Sequence, residues 1–193
     1  MYLKRNSYLA ILALFLGDYK RQFYLREISR LAKLPLKTTQ NLVNHLEKES
    51  ILKGSVSGKN KYFNLNLGNI QTKLHLLKAE VYRTSCFINK YPNFNIFLKE
   101  LKINEPVIVF GSFAKFKADK DSDLDLFLIS GKKVSYPSHL LPYKIHSISL
   151  SEDEFIESLQ KQQTLIKEIQ ENHIILNNHS FYIDTMWNYY GRN

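Results

Sequence analysis

The sequence predicts an α+β protein of two domains, a helical domain closed by a hairpin and then a small mixed sheet with helices. Three observations carry that prediction. The first third shows helical periodicity and then two short strand-like runs around a turn. The middle holds a wholly apolar run, Val107–Phe110, and a second strand-like run, Leu124–Ile129. The tail returns to helical spacing. With 193 residues, 44% hydrophobic and 13% aromatic, the chain has material for packed cores, which excludes wholesale disorder. The single cysteine, Cys86, excludes a disulfide framework and a multi-cysteine zinc site, and its apolar surroundings predict a buried structural thiol. No run of about 18 apolar residues exists, and the short apolar stretch 8–16 lacks a small-residue cleavage site. The expectation is a soluble, cytoplasmic protein with no membrane partner.

In the first domain, Tyr8, Ile11, Leu12 and Phe15 follow i, i+3, i+4, i+7 and predict a helix ending near Gly17. Leu25, Ile28, Leu31 and Ala32 predict a second, short helix. Pro35 disfavours helical geometry at Leu34 and breaks the chain. A third helix restarts at Lys37 or Thr38, with Leu42, Val43 and Leu46 inward and Thr39, Gln40, Asn41, Asn44, His45 and Lys48 outward. Alternation over 62–67 predicts a half-buried strand, joined to the run before it by the turn residues Ser57-Gly58-Lys59-Asn60.

Charge is concentrated in this domain. Residues 1–68 hold 12 Lys and Arg against 4 Asp and Glu, a net +8 out of +9 for the whole chain. Such a field favours polyanions. Three helices and a hairpin over residues 5–68 resemble the winged helix-turn-helix family of DNA-binding domains. The resemblance implies DNA contact by Lys37, Thr38, Thr39, Gln40, Asn41, Asn44 and Lys48 on the third helix, and by Lys59 and Lys61 on the wing. Winged helices also serve as protein-binding modules; the charge favours nucleic acid.

Residues 69–92 lack glycine, carry apolar positions at Leu74, Leu77 and Val81, and predict a linking helix that ends at Tyr91-Pro92. The second domain, 93–193, opens with a helix over 94–101. Val107–Phe110 is a strand of the kind buried on both faces. Gly111 and Ser112 follow it, and "FAKF" predicts a short helix, so backbone N–H groups and a hydroxyl gather where an anion could sit. Asp123 and Asp125 come after ten intervening residues. Being i and i+2 on a strand, they share a face and offer two hard oxygen ligands.

Gly111-Ser112, then 113–122, then Asp123-Leu124-Asp125, with Ser122 opening the second part, resembles the signature of the DNA polymerase β-like nucleotidyltransferase superfamily, especially its minimal members. The resemblance implies that Gly111, Ser112, Lys115 and Ser122 hold a nucleoside triphosphate, ATP first among them. It also implies that Asp123 and Asp125 hold Mg²⁺, two ions in an active enzyme. Many relatives carry glycine where this chain has Phe116. They also carry a third carboxylate on the next strand; here "KIHSISL" puts His146 at that position. Three readings stay open: His146 acts as the base, an acid such as Glu152 or Asp153 reaches the site, or catalysis is weakened and only nucleotide binding remains.

The tail predicts a capped helix at Ser151 with Glu154, a helix over 164–172, a short strand at "HIILNN" and a terminal helix holding Asp184, Trp187, Tyr189 and Tyr190. Two functions follow. One is an Mg²⁺-dependent nucleotidyltransferase acting on a hydroxyl of a protein, such as a partner toxin, or of a nucleic acid. The other is a DNA-binding regulator whose second domain only binds nucleotide. Either could be a homodimer.

Overall fold

The computed structural model describes residues 6–191, in two compact units. One runs to Ala79 and takes the chain back at Tyr190; the other is Glu80–Tyr189. The linking helix is therefore divided between them.

In the first unit, α1 (Ser7–Leu12) is capped by the Asn6 side chain and tightens into a 3₁₀ turn over Ala13–Phe15. A two-residue strand, β1 (Phe23–Tyr24), precedes α2 (Leu25–Ala32). Lys33 in the left-handed region (φ 51°) ends α2, with Leu34 N–H donating to the Ser29 carbonyl at 3.0 Å. Helix α3 (Leu36–Lys48) starts directly after Pro35, whose φ of −56° already suits a helix and whose carbonyl accepts from the Thr39 N–H and hydroxyl. β2 (Leu52–Ser57) and β3 (Asn60–Leu65) form the hairpin, turned at Gly58 with φ +59°. The sheet order is β1-β3-β2, all antiparallel. Ile11, Phe15, Ile28, Val43, Leu46, Leu52 and Phe63 are buried among its core residues.

Helix α4 (Ile70–Lys90) carries the chain into the second unit, followed by α5 (Phe94–Glu100), β4 (Val107–Phe110), α6 (Gly111–Ala114) and β5 (Leu124–Ile129). β6 (Ile145–Leu150), α7 (Glu152–Gln160), α8 (Thr164–Glu171), β7 (Ile174–Ile175) and α9 (His179–Gly191) complete it. Sheet order is β6-β5-β4-β7, with β5 and β6 parallel and the other pairs antiparallel. Side chains alternate across this sheet. Val107, Val109, Leu124, Leu126 and Leu128 pack with Phe87, Phe94, Phe97 and Phe113. On the opposite face, Phe127 meets Phe155 of α7 at 5.7 Å between ring centroids. The Ser151–Glu154 capping box forms as its spacing predicts.

A buried pair ties α4 to the chain ahead of β7. Glu80 Oε1 and His173 Nε2 lie 2.8 Å apart, both fully buried, and His173 Nδ1 faces the carbonyls of Ile169 and Gln170. Nδ1 therefore carries a proton, and a second proton is shared between Nε2 and Oε1, whether the pair is written as imidazolium and carboxylate or as two neutral groups. Cys86 is half-buried rather than fully enclosed. No helix among the described residues is long and apolar enough to cross a membrane.

Candidate functional site

The strand edge at the start of β5 is where the chemistry gathers. β4 runs antiparallel to β5, so its C-terminal end, Phe110, pairs with Asp125, and Gly111 arrives beside that carboxylate. Gly111 has φ +67°, and a Cβ there would strike the Asp125 side chain. Glycine is required here twice over, for the left-handed backbone and for the close approach. The parallel neighbour β6 pairs Asp125 with His146. Asp123 and Asp125 project to the same side, and the imidazole lies between them. Nε2 is 3.7 Å from Asp123 Oδ2, and Nδ1 is 3.8 Å from Asp125 Oδ1. The sequence's central geometric expectation, two acids on one face next to the Gly-Ser turn, holds.

Burial pushes the Asp125 carboxyl above its ordinary value. His146 and Lys115 pull it down, while Glu168 and Asp123 push it further up. Two charged groups at the site, one beside each aspartate, were not singled out from the sequence. Glu168 of α8 holds Lys115 at 3.0 Å, and Lys144, just before β6, lies 3.7 Å from Asp123. Glu168 sits some forty residues away from the motif in a helix of ordinary amphipathic pattern, so no local signal marks it. Lys144 could have been found, because it adjoins the strand already assigned to the third position.

Glu152 and Asp153 do not reach the site. In the parallel β5–β6 register, Leu124 pairs with Ile145 and Ile129 with Leu150. The start of α7 therefore lies past the other end of the sheet, more than about 16 Å along the strand at ~3.3 Å per residue. Glu152 lines a separate open cavity with Ile129, Ser130 and Lys132. The alternative that an acid from this segment fills the third position is overturned by strand direction.

Ser112 is half-buried in the first turn of α6. Ser122 is engaged locally: its hydroxyl donates to Asp119 Oδ1 at 2.9 Å and accepts the Asp119 N–H at 3.0 Å, stabilising the loop between α6 and β5. Phe116 occupies the left-handed region at φ +57°, which explains why a glycine would be at home there. Its carbonyl accepts from Lys90, and its ring packs against Phe87.

As for a metal, two carboxylates on one face are the hard oxygen donors that Mg²⁺ takes, and the octahedral ion leaves its other positions to phosphate oxygens and water. Among the described residues no three His, Cys, Asp or Glu side chains converge closely enough to hold an ion by themselves. The donor set therefore fits an ion brought with a triphosphate better than one resident alone.

The first unit places the residues assigned to DNA as follows. Lys37, Thr38, Gln40, Asn41, Asn44 and Lys48 are exposed on α3. Thr39 is not: it is fully buried with its hydroxyl on the Pro35 carbonyl, so it belongs to the core and not to the outer face. A 13-residue helix of this pitch turns position 39 toward Val43 and Leu46. Lys59 stands at the hairpin tip, whereas Lys61 is tied to Glu47 at 2.7 Å. Gln40, Asn44, Lys59, Asn60 and Lys61 line a groove together with Arg26, which the sequence reading passed over.

Residues 95–181 match the family model described as "Polymerase beta, Nucleotidyltransferase". Gly111, Ser112, Asp123, Asp125 and His146 all fall within the match, and Glu168 does too. This stretch is similar to nucleotidyltransferases of the polymerase β kind. No match was found among curated proteins or solved structures.

Proposed function

We propose that this chain is a Mg²⁺-dependent nucleotidyltransferase, moving a nucleoside monophosphate from a triphosphate, ATP first, to a hydroxyl acceptor on a protein or nucleic acid. A DNA-binding winged helix is joined to it. The observation that carries the proposal is the shared position of Asp123, Asp125 and His146 beside Gly111. Gly111 and Ser112 hold phosphate oxygens through N–H and hydroxyl, and Lys115 offsets their charge. Asp123 and Asp125 would hold the ion, which neutralises charge developing on the α-phosphate and the leaving pyrophosphate. His146 takes the proton from the acceptor hydroxyl as the new O–P bond forms and the bond to pyrophosphate breaks. Exposed Lys37, Lys48 and Lys59 and the net +8 of residues 1–68 support phosphate contact by the first unit.

A second reading has its own observation. An imidazole, which brings no negative charge, stands where the resembled family carries a carboxylate, and Lys144 faces Asp123. Both reduce the negative charge available to a cation. On that reading the second unit binds nucleotide without turning it over.

Incubation with α-labelled ATP, Mg²⁺ and candidate protein and nucleic-acid acceptors separates the two. Transfer by the wild type, abolished in the Asp123→Ala/Asp125→Ala double variant, supports the enzyme. Nucleotide binding without transfer to any acceptor leaves the binding protein, and equal transfer by the double variant refutes the site. For the first unit, duplex binding is measured against salt. Each neutralised lysine that contacts phosphate lowers the slope by about 1, and a slope near zero in the wild type rejects DNA.

A further inference from the structure

We propose that α3 reads A·T base pairs through a row of side-chain amides, with Leu36 against thymine methyl groups. This deepens the DNA-binding reading above and rests on it. The helix buries Thr39, Val43 and Leu46, which leaves Lys37, Gln40, Asn41, Asn44 and Lys48 exposed on the outward side. Thr38 and His45 are exposed beside them; three of the polar side chains between the two lysines are amides, and the 13 residues of α3 include no arginine. Gln40 and Asn44, one turn apart, both line the groove beside the hairpin.

A carboxamide presents a donor and an acceptor side by side. Adenine offers the complement in the major groove, an N7 acceptor next to an N6 donor. Guanine offers two acceptors, N7 and O6, so the amide oxygen would face an acceptor and one desolvated pair would go unmade. Arginine, the usual reader of guanine, is missing from α3; the arginine that lines the groove, Arg26, comes from α2. The lysines stand 11 positions apart, roughly 16 Å at 1.5 Å per residue, which suits flanking phosphates more than the central bases.

Leu36 gives an independent second observation. It lies one turn before Gln40 on the same groove and is 45% exposed. An apolar side chain left open on the rim of a polar groove has a natural counterpart in the C5 methyl of thymine, the one apolar group on the major-groove edge.

The test uses the full chain. Duplexes selected from a random library are sequenced, and the best is measured by fluorescence anisotropy. A core of A·T pairs is expected. Changing a read pair to G·C, or replacing its adenine with 7-deazaadenine, weakens binding about 5- to 150-fold. Gln40→Ala and Asn44→Ala each remove the preference at one pair while leaving the salt slope unchanged. Uracil in place of thymine weakens the wild type but not Leu36→Ala. A G·C core, or salt-dependent binding without sequence preference, overturns the inference and leaves DNA binding standing. Absence of salt-dependent duplex binding overturns both.

Discussion

Replacing Gly111 with alanine separates backbone strain from site chemistry. At φ +67° the new residue sits in the left-handed region, which costs a non-glycine residue about 1–2 kcal/mol. Restricting the unfolded chain returns about 0.4–1 kcal/mol. The methyl also meets the Asp125 carboxylate, but that side chain is partly open and can rotate away at little cost. The net is about 1 kcal/mol, equivalent to a fall in Tm of roughly 2–4 °C for a chain of this size. Chemically the rotation matters far more, because it takes Asp125 off the face it shares with Asp123. Losing one charge-assisted contact, about 1.5–3 kcal/mol, corresponds to roughly 10- to 150-fold weaker binding of Mg²⁺ with a nonhydrolysable ATP analogue. Calorimetric titration and a thermal melt of the same variant test the pair of numbers. A variant with affinity within twofold of wild type would show that the close approach of Gly111 to Asp125 has no role in binding.

Four further outcomes follow from the same physics. Asp125→Asn melts above wild type at neutral pH. The carboxyl is raised in the folded state, so its stabilising contribution is present below the ordinary value of 3.8 and lost as pH rises through the folded value; the advantage should vanish in melts near pH 3, and an advantage independent of pH refutes the cause. Glu80→Ala leaves His173 without its buried partner, a loss of about 3–5 kcal/mol and of roughly 6–20 °C in Tm; a loss under about 1 kcal/mol would show the pair to be dispensable. Burial holds the His179 imidazole below its usual 6.5, so stability is full above that value and declines as pH falls beneath it; His179→Gln should flatten the decline, and parallel pH–Tm curves contradict it. Phe116→Ala should be less stable than Phe116→Gly by about 1 kcal/mol, because only glycine relieves the left-handed backbone once the ring is gone; the reverse order in denaturant melts rejects that strain.

Local pattern made much of the architecture legible. The third helix, the hairpin around Gly58, strands β4 and β5 and the Ser151 cap all lie where periodicity and turn residues put them, because each is settled by neighbours within a few positions. What periodicity handled poorly was a residue near the edge of a face. Thr39 is polar and sits among polar neighbours, yet the helix turns it inward, where the Pro35 carbonyl satisfies its hydroxyl. Polarity marked it as outward; only packing decides it. β1, two residues long, has no period to read and exists through its pairing with β3.

The site divides along the same line. Asp123, Asp125, Gly111 and Ser112 are close in sequence, so spacing alone could bring them together. Whether His146 or the acids after β6 approach them depends on strand direction, which no short-range signal encodes. A parallel β6 puts His146 opposite Asp125 and sends Glu152 and Asp153 past the far end of the sheet. An antiparallel β6 would reverse that geometry and bring the acids to the end where Asp123 and Asp125 stand. The same argument explains Glu168, whose place beside Lys115 and Asp125 follows from how α8 packs on the sheet and not from its own pattern. The electrostatics of the pair, two acids with an imidazole between and a lysine–glutamate pair alongside, is therefore a property of topology. With strand direction fixed, the imidazole faces both carboxylates at 3.7–3.8 Å, and the choice between a transferring enzyme and a nucleotide-binding one rests on what that single ring does with a proton.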